Sequence, residues 1–492
     1  MTSRTLYSWF AETVCRHGDV AALELPGFSL TYRELDDLAC RVAGEVVAAH
    51  GGVPATVGIP ATRDLVAYVG YLAVARLGAT AVPVNPAHPI TRTALVAASA
   101  RLDLMITAAA RPQLPGVTSV PLAGRLRTLD RTPLPAPPDD PEAVAYLLFT
   151  SGSTGTPKGV PIRGVNVSPY LCHVIDRYGL GPGCRTSHTF ELTFDVSVFD
   201  LFASWGAGAT LVVPDTRTDL VNPVGYVTGR RLTHWFSVPS VVSLAARLRL
   251  LRAGSMPDLR HSIFAGDRLT VEQADAWATA APGSTIDNLY GPTEMTVTCT
   301  GYRLPAERAD WPETSNGTVP IGRPYPHVEH RVTGDGELLL RGAQRFAGYL
   351  DPDDDAGRFD PPVAPGTVRK SHWYRTGDRV RVEQGELVHI GRLDQQVKIR
   401  GGYRVELGEV ETAVRAHPGV ADAVVIAVAA PNAEVDLVAV YVGAEAAETE
   451  LYEHVARLLP AYMVPRRYHR VPDLPRNANG KTDRRRLTEL VG

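Results

Sequence analysis

The sequence predicts an α/β protein of two domains, a large N-terminal one and a small α+β one at the C-terminus. Three observations carry this. At 492 residues the chain exceeds the ~250–300 at which a single core stops growing. From the N-terminus to Ala281, helical periods alternate with short apolar runs, the pattern of parallel-rich sheets covered by helices. From Gly317 the pattern becomes short strands with glycine turns, and from Leu393 a separate alternation of strand and helix begins. That tail, at ~100 residues, suffices for an independent small domain. The expected boundaries are 1–393 and 394–492.

In chain order, residues 1–45 read as two amphipathic helices around a short strand. Thr31 precedes Glu34 by three, the spacing of a capping box, and Leu35, Leu38 and Val42 follow at helical intervals. Residues 65–86 read as a helix and then a strand ended by proline. Arg131 to Glu142 holds five prolines; such a segment is extended and cannot build a regular ladder, so it is expected on the surface of the large domain. Ser262 to Thr270 has the form strand, glycine turn, helix.

Composition excludes several classes. A hydrophobic content of 45% and a charged content of 21% are those of an ordinary globular protein. The net charge of −3 offers no electrostatic case for nucleic acid or an anionic membrane. The five cysteines contain no C-x-x-C pair, so neither a zinc site nor a disulfide framework follows, and a cytoplasmic location is expected. The N-terminus has no apolar signal core, and no window approaches ~18 apolar residues.

The stretch with the clearest chemistry is YLLFTSGSTGTPKGV, Tyr146 to Val160. A short apolar run of strand length leads into Thr150, Ser151, Gly152, Ser153, Thr154, Gly155 and Thr156, closed by Pro157 and Lys158. The glycines let the backbone fold back so that amide hydrogens, hydroxyls and one ammonium face a single anion. The Walker form fits no register here. A flexible linker is the plainer alternative, but linkers rarely follow a buried strand directly.

TSGSTGTPKG resembles the signature loop of adenylate-forming enzymes: amino-acid-activating adenylation domains, acyl- and aryl-CoA synthetases, and luciferases. With the motifs below, the resemblance covers nearly the whole chain and implies ATP and Mg2+ as cofactors. In NLYGPTE, Asn288 to Glu294, it implies that Asn288 contacts the adenine amine, Tyr290 stacks on the base, Thr293 faces the α-phosphate and Glu294 helps hold the metal. A carboxylate beside a triphosphate does require a cation between them. Asp378 in YRTGD and Arg392 in GRLD resemble the ribose-binding pair, and Asp394 the interdomain hinge. Taken singly, each of these is also compatible with a plain surface turn. In NANGKTDRRRL the family position makes Lys481 the catalytic lysine, an ammonium that would bridge carboxylate and α-phosphate as charge develops. Lys158 is then a contact for the outer phosphates. VKIRGGYRVELGE departs from the usual amino-acid-activating form in having Gly401 and Gly402 consecutive, so the residue lining the pantetheine path stays open.

In FDVSVFD, Asp195 falls where amino-acid activators keep a carboxylate for the substrate's α-ammonium; its alternative reading is a helix N-cap. The family's pocket positions carry over to Asp195, Val196, Phe199, Phe236, Ile263, Ala265, Leu289, Val297 and Thr298. Most of these walls are apolar, and a charged substrate side chain would be costly to desolvate there. A compact aliphatic amino acid is expected, and the Ala265, Leu289, Val297 series is similar to that of free-standing prolyl-AMP ligases. L-proline is therefore the favoured substrate, with isoleucine and valine as alternatives. The chain stops soon after Lys481, so the expected thiol acceptor is the phosphopantetheine of a carrier protein supplied in trans. An acyl- or aryl-CoA synthetase would not need Asp195, a P-loop hydrolase or kinase would need a Walker lysine, and a nucleotide sensor would not need Lys481.

Overall fold

The computed structural model describes residues 3–108, 114–152, 156–215, 218–394, 396–429, 435–475 and 482–491. By internal contacts the chain separates into two compact units. The first comprises Met1–Pro86, Ala97–Leu148 and Gly159–Gly391; the second comprises Ala87–Val96, Phe149–Lys158 and Arg392–Gly492.

The first unit contains a nine-stranded sheet. Across it the strands run Arg323–Pro324, Thr300–Arg303, Thr285–Tyr290, His261–Phe264, His234–Ser237, Arg185–Ser187, Thr210–Val212, Ala21–Leu25 and Phe28–Thr31. The pairings from Thr285–Tyr290 through Ala21–Leu25 are parallel, and both edges are antiparallel. A second sheet, of six strands, carries Thr56–Pro60 in parallel register with Thr80–Val84 and leads to the strand Val144–Thr150. A third is antiparallel, with Val328–Val332 on Glu337–Gly342 and the latter on Trp373–Glu383. This is the α/β architecture with a β-rich region that the alternation predicts.

Local chemistry explains the elements. Thr31 caps the helix Tyr32–His50 by accepting from the Glu34 amide, while Glu34 accepts from the Thr31 amide, and Leu35, Leu38 and Val42 are all buried. The single strand expected before it is a hairpin, because a turn at Pro26–Gly27 splits it into Ala21–Leu25 and Phe28–Thr31. The helix Val271–Ala280 opens with a second capping box, Thr270 with Gln273. Its Trp277 lies edge-on to Phe264 and donates its indole N–H to Ser262. The proline-rich segment 131–142 forms no regular element and is mostly exposed.

The second unit has its own core. Leu407–Arg415 packs through Val410 and Val414 with residues of the antiparallel pair Val420–Ala429 and Val435–Gly443. Arg467–Arg470 adds a parallel strand. Segment 87–96 belongs to this unit through the His88–Tyr462 ring contact and the Thr91 hydroxyl donating to the Arg457 carbonyl. Among the described residues no helix is long and apolar enough to cross a membrane.

Candidate active site

In the first unit, the strand Thr285–Tyr290 presents Asn288 and Tyr290 at the C-terminal end of the parallel sheet, where open α/β sheets bind ligands. Buried Asp287 anchors the strand by accepting from Arg177 at 2.5 Å and Arg303 at 3.0 Å. Asn288 donates its amide N–H groups to the carbonyls of Val319 (2.9 Å) and Pro320 (3.0 Å). That fixes its orientation and leaves Oδ1 buried with no partner. A buried, unsatisfied acceptor at this place fits an exocyclic amine. Tyr290 donates its hydroxyl to Asp378 Oδ2 at 2.6 Å, and Asp378 Oδ1 meets His389 Nε2 at 3.0 Å. The three predicted residues Asn288, Tyr290 and Asp378 are thus joined by one strand and one hydrogen bond. His389 was not singled out in the sequence.

Next along the chain, Thr293–Met295 is a single 3-10 turn. Thr293 is half-buried on it, and Glu294 is fully buried, with Oε1 accepting from the Tyr349 hydroxyl at 2.7 Å. Among the described residues no group of three or more His, Cys, Asp or Glu side chains could hold a metal. One oriented carboxylate is the donor set of Mg2+, which takes its remaining oxygens from phosphate and water. The residues present therefore fit that ion.

After this turn Thr296 (φ 59°) and Val297 (φ 68°) both have left-handed backbone. For β-branched residues each such conformation costs of the order of 1–3 kcal/mol and clusters at functional sites. Gly291 accommodates the bend, because a Cβ there would lie 2.5 Å from the Thr298 Cα.

The apolar residues carried over lie in the extended core of the first unit, which runs from Leu6 to Leu387. Val196, Phe199, Phe236, Ile263, Ala265, Leu289 and Val297 are all buried in one apolar cluster, and Asp195 is only 7% exposed. Phe236 and Ile263 are register partners on adjacent strands, and the Phe199 and Phe236 rings meet edge-on at 4.9 Å. The helix expected after Asp195 is a π-helix, Phe199–Ala203, running into Ser204–Ala207; single π-turns frequent functional sites. Three polar groups that sequence reasoning missed accompany the apolar walls. Thr298 Oγ1 lies 2.9 Å from the Tyr325 hydroxyl. Tyr146 has a buried hydroxyl without a hydrogen-bond partner, and the buried Tyr170 hydroxyl faces Thr298, both within the field of Asp195. Burial pushes both phenols well above their usual range, so they stay protonated donors.

In the second unit the glycine–hydroxyl loop is recognisable. A Cβ on Gly152 would sit 2.0 Å from the Thr156 carbonyl, so only glycine permits this fold-back. The Gly152 amide donates to the Glu409 carboxylate at 3.2 Å, and Glu409 is ion-paired with Arg92. Ser151 donates to the Arg404 carbonyl (2.9 Å) and accepts from the Glu406 amide (3.0 Å). The loop amide thus holds an anion, here a carboxylate from segment 404–409. Thr150 Oγ1 is buried without a partner, and Lys158 is buried. Arg392 grips Asp394 through two 2.6 Å hydrogen bonds. Ser153, Thr154, Gly155 and Lys481 lie outside the described residues.

Comparison with known proteins agrees with this geometry. The model of the AMP-binding enzyme family matches residues 10–350, and that of the AMP-binding enzyme C-terminal domain matches 409–481. The chain is 36% identical over 511 residues to phosphinothricin tripeptide synthetase PhsC of Streptomyces viridochromogenes, covering 99% of this chain and 45% of that protein. It therefore spans less than half the length of that relative. It is 39% identical over 368 residues to an L-proline--[L-prolyl-carrier protein] ligase of Streptomyces coelicolor, covering 70% of this chain and 66% of the relative. Among solved structures, the Vibrio cholerae adenylation domain AlmE in complex with glycyl-adenosine-5'-phosphate superposes with a TM-score of 0.84 at 27% identity, over 99% of this chain and 97% of that one. The family match spans well over half of the sequence, and the chain belongs to the AMP-binding enzymes, ligases that form adenylates with ATP and Mg2+.

Proposed function

We propose that this chain activates a small apolar amino acid, L-proline before isoleucine or valine, as its aminoacyl adenylate. It then passes the acyl group to the phosphopantetheine thiol of a separate carrier protein. The observation that carries the reading is Asp195, a buried carboxylate, together with the seven carried-over apolar side chains, all of them buried in the core of the same unit. Such a carboxylate matches an α-ammonium, and those walls match an aliphatic side chain. The L-prolyl-carrier protein ligase relative supports proline and a carrier acceptor.

The residues divide the work as follows. Asn288, Tyr290, Asp378 and Arg392 bind adenosine; Thr150 to Gly155 and Lys158 bind the phosphates; Glu294 holds the metal and Thr293 the α-phosphate. A substrate carboxylate oxygen bonds to the α-phosphorus as the bond to pyrophosphate breaks, with Lys481 offsetting the charge. The carrier's thiol sulfur then bonds to the acyl carbon and AMP leaves. The C-terminal domain from Asp394 onward acts as the lid that brings Lys481.

ATP–pyrophosphate exchange with each of the twenty amino acids tests the substrate: proline is expected to give the highest rate, and preference for a branched aliphatic overturns it. Loading assays with holo carrier protein or coenzyme A as acceptor test the second step. Thioester formation on coenzyme A alone would overturn the carrier.

A further inference from the structure

The strained turn after Glu294 is held by one side chain. Gln344, fully buried, donates its Nε2 to the carbonyls of Met295 (3.0 Å), Thr296 (3.0 Å) and Thr298 (2.8 Å). The Thr296 hydroxyl returns a hydrogen bond to the backbone carbonyl of Gln344 at 2.6 Å. Two residues on, the Phe346 amide donates to the Glu294 carbonyl at 2.9 Å. Three carbonyls can only accept, so the amide nitrogen must face them and Oε1 must face away. There it meets His327 Nε2 at 2.6 Å. Burial lowers the His327 pKa, which keeps the ring neutral with its Nε2–H pointed at Gln344.

The turn that Gln344 grips has Glu294 at its start and Val297 and Thr298 at its end. Left alone, two consecutive β-branched residues would leave their left-handed conformation. That relaxation would move the carboxylate and the pocket wall together. We propose that Gln344, supported by His327, is a positioning residue that sets the metal-binding carboxylate and the amino-acid pocket as one unit. The inference rests on the roles given above to Glu294, Val297 and Thr298. It adds that acid selection and metal requirement are coupled through a side chain that touches neither ligand.

The test is Gln344→Glu, which keeps the shape but removes the donors, with His327→Phe as a milder second variant at a half-buried position. Wild-type exchange is measured first; its absence with every amino acid sinks the functional reading, not this one. With active wild type, Gln344→Glu is expected to raise both the amino-acid KM and the Mg2+ concentration for half-maximal rate by about tenfold. His327→Phe is expected to raise both by about threefold, and it decides the matter if Gln344→Glu does not fold. A merely structural role would lower the melting temperature and the yield of active enzyme while leaving both constants in place. Both constants within twofold of wild type, or only one of them moving, overturns the proposal.

Discussion

The Tyr290 hydroxyl donates to Asp378 Oδ2 at 2.6 Å across 88 residues of sequence, and the other carboxylate oxygen meets His389. This arrangement aims a carboxylate at the end of the strand that carries Asn288, with the phenol ring fixed beside it. The hydroxyl is held protonated, since burial and the neighbouring Asp378 both push its pKa well up. Tyr290→Phe keeps the ring and removes the hydrogen bond. A hydrogen bond to a charged group contributes ~1.5–3 kcal/mol, so the KM for ATP should rise about tenfold with kcat little changed. Exchange kinetics at varied ATP check this, and an unchanged KM would separate Asp378 from nucleotide binding.

Asp195→Ala should raise the KM of the amino acid by roughly 10–150-fold, the equivalent of ~1.5–3 kcal/mol. It should also admit acids that lack the amine. If the KM stays at the wild-type value, the carboxylate serves only the local turn.

Lys481→Ala should slow adenylate formation by about 10²–10³-fold while sparing ATP affinity, because the lysine acts on developing charge. Single-turnover kinetics beside calorimetric ATP titration separate the two. Near-normal turnover would remove the lysine from the chemistry.

Acid should destabilise the protein through one buried and one half-buried histidine. His234 and His261 lie on paired parallel strands with rings 4.8 Å apart, and burial lowers both to about 4. Above ~6.5 the imidazoles are neutral in both folded and unfolded chains. Between that value and about 4 only the unfolded chain takes up the protons, so stability falls as pH falls through this window. Thermal melts from pH 7.5 to pH 4.5 should show this loss, and it should be shallower in the double variant His234→Gln, His261→Gln. Equal slopes would place the acid sensitivity elsewhere.

The local elements were legible because they are written in contiguous motifs. The capping pair Thr31 and Glu34, the strand-turn-helix ending at Val271–Ala280, and the fold-back at Gly152 all follow from near neighbours. The supporting partners are a different matter. Tyr349 reaches Glu294 across 55 residues and Gln344 reaches Thr298 across 46. Nothing in either local sequence marks those pairings. Tyr146 and Tyr170 read as ordinary core aromatics until their buried hydroxyls are seen near Asp195.

By itself the sequence determined the layered α/β class and the glycine–hydroxyl loop, since periodicity and backbone freedom act over a few positions; the pocket positions came from the resemblance of its motifs to a family. Only the tertiary structure decided which donor orients each carboxylate, where the backbone is strained and what holds it there. Hydrogen bonds need atoms within about 3 Å in a definite direction, and for residues far apart in sequence that condition is met only once the whole chain has packed.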